Sequence, residues 1–472
     1  MDEFYTLKMA NLSLEQLNEW TKDHDNGKPP LYYMFMHFWL SHENEEGWTR
    51  LPSAIFGALT CVFASLLGMR FLGDRGWILG LLLALSPLHI WYSQEARMYT
   101  MMGLFCVLAF YFHTRFCQEG KGLDLVCFII TGVLTCYTHP YAFFFLAVTA
   151  VCALFHQPAL KLKQLLTDGA AHLVIFGIFC LWIPRMIHSA VTSYQDPKGH
   201  NLAVFIYTVF NLFLGPSVGL SPDQLRVDRF HAFAENPGGA LLIIIGLAVS
   251  VIISAIGFGI LFRENRNAFV FALAGSVVLT VFPVIIAVLK PTITNNPRYA
   301  FLALFPLLLG LAAFFLKAWE KPLWTHRILG AVFAGFVALS LVDYYFVPEY
   351  ERDDIRSAAH YLMGDNGKNV DFIFVCDPTD TETLGYYYHG PASIVGLNYP
   401  PSVSAPDEAA TIKSALVGFK HPVLIYLRPD HGDARRQLPD LFESLYPLTD
   451  KQSWPGVTYY QFDASASSTP QR

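Results

Sequence analysis

Long apolar runs, broken by short polar stretches, recur from about Arg50 to Phe346. Each approaches the roughly 20 residues that a helix needs to cross hydrocarbon. The pattern predicts about ten membrane helices, near 50–72, 76–92, 96–116, 123–138, 140–156, 168–190, 239–262, 267–289, 298–317 and 326–346. Basic residues fall in alternate loops: Arg70 and Arg75; Arg115 and Lys121; Lys161 and Lys163; Arg263 and Arg266; Lys317, Lys321 and Arg327. Loops rich in Lys and Arg stay cytoplasmic. The other set then faces outward: residues 1–49, 93–95, 138–140, 191–238, 290–297 and everything after 347.

The outward segments differ in kind. Residues 1–49 read as a loop carrying one apolar stretch, Leu31–Leu40, too short to span and placed as a helix lying at the outer surface. No basic, apolar leader follows Met1; the chain enters at once on Asp2-Glu3, and a first membrane helix is expected upstream of it. Residues 191–238 form a long loop with an amphipathic run, Leu202–Leu214, and a loop of this length usually has a task such as a lid or substrate guide. Residues 347–472 read as a soluble α/β domain, with a helix over Asp353–Met363 and short buried strands at Val370–Cys376 and Val423–Leu427. Its end, Ala464–Arg472, is rich in Ser and Pro and is expected to be disordered.

Composition agrees with the pattern. Of 472 residues, 53% are hydrophobic and only 15% charged, against roughly 25% charged in soluble domains, and the mean hydropathy is +0.37. The fold class expected is an α-helical polytopic membrane protein with a small C-terminal soluble α/β domain. The net charge of -6 reflects loops and tail, and no nucleic-acid partner is expected. The eight cysteines form no CxxC pair and read as small buried side chains rather than a disulfide framework or zinc site.

Polar residues concentrate where apolar helices meet the outward side: Asp2-Glu3, Lys28-Pro29-Pro30-Leu31-Tyr32-Tyr33, Ser93-Gln94-Glu95-Ala96-Arg97-Met98-Tyr99, His139-Pro140-Tyr141 and Pro297-Arg298-Tyr299. Charge near hydrocarbon is costly, so such a cluster points to a functional site. Each motif also has a plainer reading. Asp2 and Glu3 could be solvated acids at a frayed terminus, or a general base for an acceptor hydroxyl or amine. Lys28 could be an interfacial anchor, although Pro29-Pro30 fix its direction. Glu95 and Arg97 could cap or pair with each other. Yet the arginine fork suits phosphate, and Arg298 repeats the pattern beside Tyr299. His139 could be a hydrogen-bonded structural residue or a ligand. With no HxxxH or DxD spacing, no metal ligand is assigned, and a divalent metal stays open.

Over Asp25–Phe116 the chain resembles the integral-membrane glycosyltransferases of the GT-C fold, in the branch of glycosyltransferase family 39, the protein O-mannosyltransferases and the lipid A aminoarabinose transferases. The resemblance rests on Lys28–Tyr33, on Arg50-Leu51-Pro52-Ser53-Ala54-Ile55-Phe56-Gly57, on Leu85-Ser86-Pro87-Leu88-His89 and on Ser93–Tyr99. It continues through Tyr137-Thr138-His139 and Pro297-Arg298-Tyr299, to roughly residue 320.

The resemblance implies an enzyme: an inverting hexosyl- or pentosyltransferase that moves a sugar from a polyprenyl-phosphate donor to a lipid, glycan or protein acceptor. It implies an Asp-Glu pair just after a first membrane helix, matched here by Asp2 and Glu3, with Asp2 the base. It implies donor-phosphate contacts from Lys28, Arg97 and Arg298, with Tyr33, Glu95, Tyr99, His139 and Tyr299 lining the rest of the substrate site. The expected setting is a bacterial inner or plasma membrane, with site and tail on the periplasmic or extracellular face and membrane lipid around the donor. The competing class is a lipid or solute transporter. That would place polar residues on broken helices near the midplane, often with inverted repeats; here they sit at outer ends and no repeat is found.

Overall fold

The computed structural model of the protein describes residues 2–23, 28–43, 45–192, 202–221, 224, 231–289, 297–320, 323–367, 369–397, 412, 414, 419–427 and 437–465. The chain forms two compact units, one of Asp2–Gly219 with Gly238–Leu341, the other centred on Val342–Arg472 and taking in Leu220–Pro237. The second unit thus claims the end of the long 191–238 segment along with the tail.

Among the described residues, seven helices of the chain are long and apolar enough to cross a membrane, and three shorter apolar helices accompany them. Each of the ten predicted segments coincides with helix, but several are broken or too short to count among the seven. The first, α4 (Glu46–Leu72), ends at Gly73, whose φ of 69° permits the sharp exit. The next runs back along it as α5 (Ile78–Ala84) and α6 (Pro87–Ser93). A Cβ on Gly80 would collide with the Cys61 carbonyl, and one on Gly57 with Ser93, so small residues let these helices pack at close range. The break falls at Leu85-Ser86 because Pro87 has no N–H to give and Ser86 Oγ caps the new helix through the His89 N–H.

Then come α7 (Tyr99–Glu119), α8 (Gly122–Thr138), a 3₁₀ turn at Pro140–Phe144, α9 (Phe145–Leu154), α10 (Leu162–Cys180) and α11 (Ile183–Thr192). The predicted 168–190 span is therefore two helices, parted at Leu181-Trp182. After α12 (Leu202–Leu214) follow the helices Pro237–Glu264, Arg266–Leu289, Leu304–Glu320 and Trp324–Phe346, with a 3₁₀ turn at Pro297–Ala303 leading into the third. Two spans form the centre: 72% of the apolar window of Tyr99–Glu119 and 78% of that of Arg298–Glu320 is buried. The others expose apolar side chains such as Leu173 and Trp324, as helices in lipid do.

Residues 1–49 are not a loop with one helix. They fold as α1 (Asp2–Ala10), α2 (Leu14–Asp23) and α3 (Leu31–Leu40). α2 starts on a reciprocal capping box: the Gln16 N–H donates to Ser13 Oγ (3.2 Å) and the Ser13 N–H to Gln16 Oε1 (3.0 Å). His37 Nδ1 lies 2.8 Å from the Ala10 carbonyl and ties α3 to α1. α2 packs on α11, where Arg185 donates to the Asn18 side chain. α3 is locked to α4 by a tryptophan pair. Pro52 inside α4 has no N–H for the Trp48 carbonyl, and Trp39 Nε1 supplies one instead at 2.9 Å. Trp48 Nε1 returns a bond to the Trp39 carbonyl (3.3 Å), and the two rings stack at 4.4 Å.

The second unit is the predicted α/β domain. Its five strands, β1 (Phe372–Val375), β2 (Ser393–Gly396), β3 (Pro422–Leu427), β4 (Leu448–Trp454) and β5 (Val457–Phe462), lie in the order β2-β1-β3-β5-β4. β1 is parallel to β2 and β3, while β5 is antiparallel to β3 and β4. Alternate residues of β1 enter different cores: Ile373 and Val375 pack with Ile355 and Leu362 of the Ile355–Met363 helix, Phe372 and Phe374 with Phe442 of the Leu438–Leu445 helix. A strand covered on both faces reads as an unbroken apolar run. Of the expected disordered end, Ala464 and Ser465 are described; 466–472 lie outside the described residues.

Candidate active site

The segment Gln94–Met98 joins α6 to α7, and Glu3 holds it in place. Arg50, in the second turn of α4, meets the Glu3 carboxylate at two points, Nε to Oε1 at 2.8 Å and Nη2 to Oε2 at 2.6 Å. The Ala96 N–H donates to the same Oε1 at 2.8 Å. Two-point guanidinium–carboxylate pairing fixes geometry as well as charge. The carboxylate therefore ties α1 and α4 to the turn that carries Glu95 and Arg97. The Arg97 N–H folds back to the Glu95 carbonyl at 2.7 Å.

The charged side chains on this turn are enclosed: Arg97 is 3% exposed and Glu95 8%. Lys28, two residues before the Pro30 cap of α3, is also 8% exposed. Buried charges persist only when surrounding groups compensate them. Arg97 Nη1 lies 3.5 Å from the Tyr33 hydroxyl, and Ser53 Oγ lies 3.5 Å from the Arg97 carbonyl. Tyr32, fully buried beside Ser53, is within electrostatic reach of Arg97, Glu3 and Glu95. Burial pushes its hydroxyl well above the ordinary phenol range, so Tyr32 stays a neutral donor.

The remaining motifs reach this turn through rings. Tyr99, at the head of α7, stands 4.7 Å from Tyr92 and 6.1 Å from His139, ring centre to ring centre. His139 lies 5.8 Å from Tyr299, which stacks on Tyr141 at 4.8 Å. The Arg298 guanidinium carbon is 5.5 Å from the Tyr299 ring centre. His139 caps the 3₁₀ turn, its Nδ1 accepting the Tyr141 N–H at 3.2 Å. In the neutral ring the proton then sits on Nε2, which suits donation to an anion.

Glu3, Tyr33, Glu95 and Arg97 thus meet at the Gln94–Met98 turn, and Tyr99, two residues after Arg97, leads by ring contacts to His139 and Tyr299, with Arg298 beside Tyr299 and Lys28 at the entry to α3. Asp2 is the first residue of α1, next to Glu3; its side chain lies outside the described residues. Sequence reasoning missed three participants. Arg50 and Ser53 stand in the quoted Arg50–Gly57 motif without a chemical role, and Tyr32 was passed over for its neighbour. A cation in the second turn of an apolar span was the available signal for Arg50.

Sequence comparison finds no matching protein-family model and no matching curated protein. Comparison of folds does find likeness. The apo archaeal oligosaccharyltransferase of Archaeoglobus fulgidus superposes with a TM-score of 0.50 at 12% identity, covering 97% of this chain and 70% of that one. ArnT of Cupriavidus metallidurans gives a TM-score of 0.45 in the apo state, at 14% identity over 99% of this chain and 93% of that chain. Its complex with undecaprenyl phosphate gives 0.41, at 14% identity. The order of helices, the broken spans and the likeness to the oligosaccharyltransferase together show that this chain has the GT-C membrane fold, completed by a small C-terminal α/β domain.

Proposed function

We propose that the protein is an inverting glycosyltransferase that moves a sugar from a polyprenyl-phosphate donor to a lipid, glycan or protein acceptor at the outer face of the membrane. One observation carries this reading: the buried Arg97 stands with Glu95, Tyr33 and Tyr32 at a turn that Glu3 and Arg50 clamp. An enclosed arginine among neutral hydroxyl donors suits a phosphate, because its planar fork binds two oxygens at once.

In this reading Lys28, Arg97 and Arg298 hold the donor phosphate, and Tyr33, Tyr99, His139 and Tyr299 line the sugar and acceptor side. The Asp2 carboxylate takes the proton of the acceptor hydroxyl or amine. The acceptor atom attacks the anomeric carbon as the bond from that carbon to the phosphate oxygen breaks. The electron pair leaves on the polyprenyl phosphate, whose added charge the cations stabilise without reorganising. One in-line displacement inverts the anomeric centre.

The test is binding of a polyprenyl phosphate to the intact chain in lipid nanodiscs, followed by native mass spectrometry. A one-to-one complex is expected, weakened at least about tenfold in Arg97→Gln, the loss of about 1.4 kcal/mol expected for one charge-assisted contact. Equal binding by wild type and Arg97→Gln would remove the phosphate from this turn.

A further inference from the structure

We propose that the bundle holds a second site, for a divalent transition metal, zinc the best fit, between α7 and α10. Its ligands are His113, Asp168 and His172. These three side chains offer ligand atoms that all lie within 4.8 Å of one another. His113 and Asp168 are almost fully enclosed, with side chains 3% and 4% exposed, and His172 is 14% exposed. His113 comes fourteen residues after Tyr99 on the same helix, so it sits about 21 Å further along the axis. The cluster is therefore separate from the candidate active site.

The spacing of these groups is compatible with a shared metal. His113 Nε2 is 3.1 Å from Asp168 Oδ1, and His172 Nδ1 is 3.4 Å from Asp168 Oδ2. Two ligands at ~2.05 Å from a tetrahedral zinc stand about 3.3 Å apart. Despite the short approach, Asp168 Oδ1 accepts no hydrogen bond from any described residue. A buried carboxylate oxygen left so is costly, and a cation between oxygen and ring nitrogen removes that cost. Two imidazoles with one carboxylate favour zinc or a neighbouring transition metal over magnesium or calcium, which prefer oxygen alone.

The groups around the ligands complete the case. His172 Nε2 is 2.8 Å from Thr149 Oγ1, and Thr149 Oγ1 is 3.1 Å from the Leu146 carbonyl. With metal on Nδ1, the Nε2–H donates to Thr149 Oγ1, and the Thr149 hydroxyl donates in turn to the Leu146 carbonyl. Metal-bound histidines are ordinarily oriented in this way. Without metal, Nδ1 instead bonds the Asp168 carbonyl of its own helix at 2.8 Å, so loading requires His172 to give up that bond and carry its single ring proton on Nε2. A small cavity lined by His113, Cys117, Thr149 and His156 lies beside His113.

The experiment measures metal directly. The full-length protein, purified without a polyhistidine tag, is stripped with chelator, dialysed against zinc and desalted, and its metal is counted by elemental analysis. About one zinc per chain is expected in wild type, with a thermal midpoint raised over the stripped protein. His172→Gln keeps the His113–Asp168 contact and should lower retained zinc at least tenfold, and Asp168→Asn should abolish it. Wild type that retains no zinc, or His172→Gln that retains as much as wild type, overturns the proposal. The wild-type measurement stands whether or not Asp168→Asn folds, and none of these readouts depends on glycosyl transfer.

Discussion

Glu3 and Arg50 stand 47 residues apart in sequence and meet through two bonds, of 2.8 and 2.6 Å, with the Ala96 N–H as third donor to the same carboxylate. That relationship gives the two acids at the head of α1 different tasks. Glu3 is occupied in positioning the Arg97 turn. The proton-accepting role proposed for the pair then falls to Asp2.

The clamp makes a quantitative prediction. Both partners are partly exposed, at 34% and 25%, so screening limits the pair to about 1 kcal/mol. Glu3→Gln and Arg50→Gln should each lower thermal stability in detergent, and the double variant should be no worse than the poorer single one. Strictly additive losses would show that the two side chains do not depend on each other.

A second prediction concerns the Trp39–Trp48 pair. Trp39 Nε1 satisfies the Trp48 carbonyl that Pro52 leaves open. Trp39→Phe keeps the stacked ring but removes the donor, and should cost about 1 kcal/mol. Pro52→Ala restores a backbone N–H to that carbonyl. In the Pro52→Ala background the Trp39→Phe loss should shrink, read as the difference between two melting midpoints; an unchanged loss would mean the bond contributes nothing to stability.

The legibility of this molecule followed the physics of each part. Lipid demands about 20 apolar residues for a span, so the apolar runs stood out, and each coincides with helix, although among the described residues seven helices are long and apolar enough to cross. The breaks at Ser86-Pro87 and Leu181-Trp182 were harder, because apolar content runs through them without pause. α2 is short and polar, so no hydropathy signal marks it, although Ser13 and Gln16 spell its cap. In the tail, β1 and β3 are continuous apolar runs and were read correctly. β4 at the sheet edge, Leu448–Trp454, is mostly polar and exposed, and was missed. The site motifs were visible because charge is rare at helix ends in lipid. Arg50 as the partner of Glu3, and Asp168 as the neighbour of His113, were not, since only tertiary packing joins residues so far apart in sequence.

Arg97→Lys tests the phosphate contact without removing charge. Lysine is a point charge on a flexible stem and cannot make the two-point contact. Turnover of a polyprenyl-phosphate sugar should fall about tenfold or more, equivalent to about 1.4 kcal/mol of lost transition-state stabilisation. A surface control, Arg75→Lys, should leave turnover unchanged. Wild-type turnover in Arg97→Lys would exclude Arg97 from the donor site.

The last prediction separates the two acids. Asp2→Asn keeps the size of the side chain but cannot take a proton at neutral pH. If Asp2 is the base, turnover should drop by about 10²–10⁴-fold, the usual contribution of general-base catalysis, while the donor lipid still binds. Glu3→Gln should behave differently. It weakens the Arg50 clamp, so it should loosen donor binding and lower stability, with a smaller loss of turnover once donor is saturating. Measuring donor affinity and saturated rate for both variants therefore reads two distinct signatures. A silent Asp2→Asn combined with an abolished rate in Glu3→Gln would exchange the roles of the pair. If both were silent, the proton would have to go elsewhere, and Glu95, buried one residue before the clamped Ala96, is the next carboxylate to test.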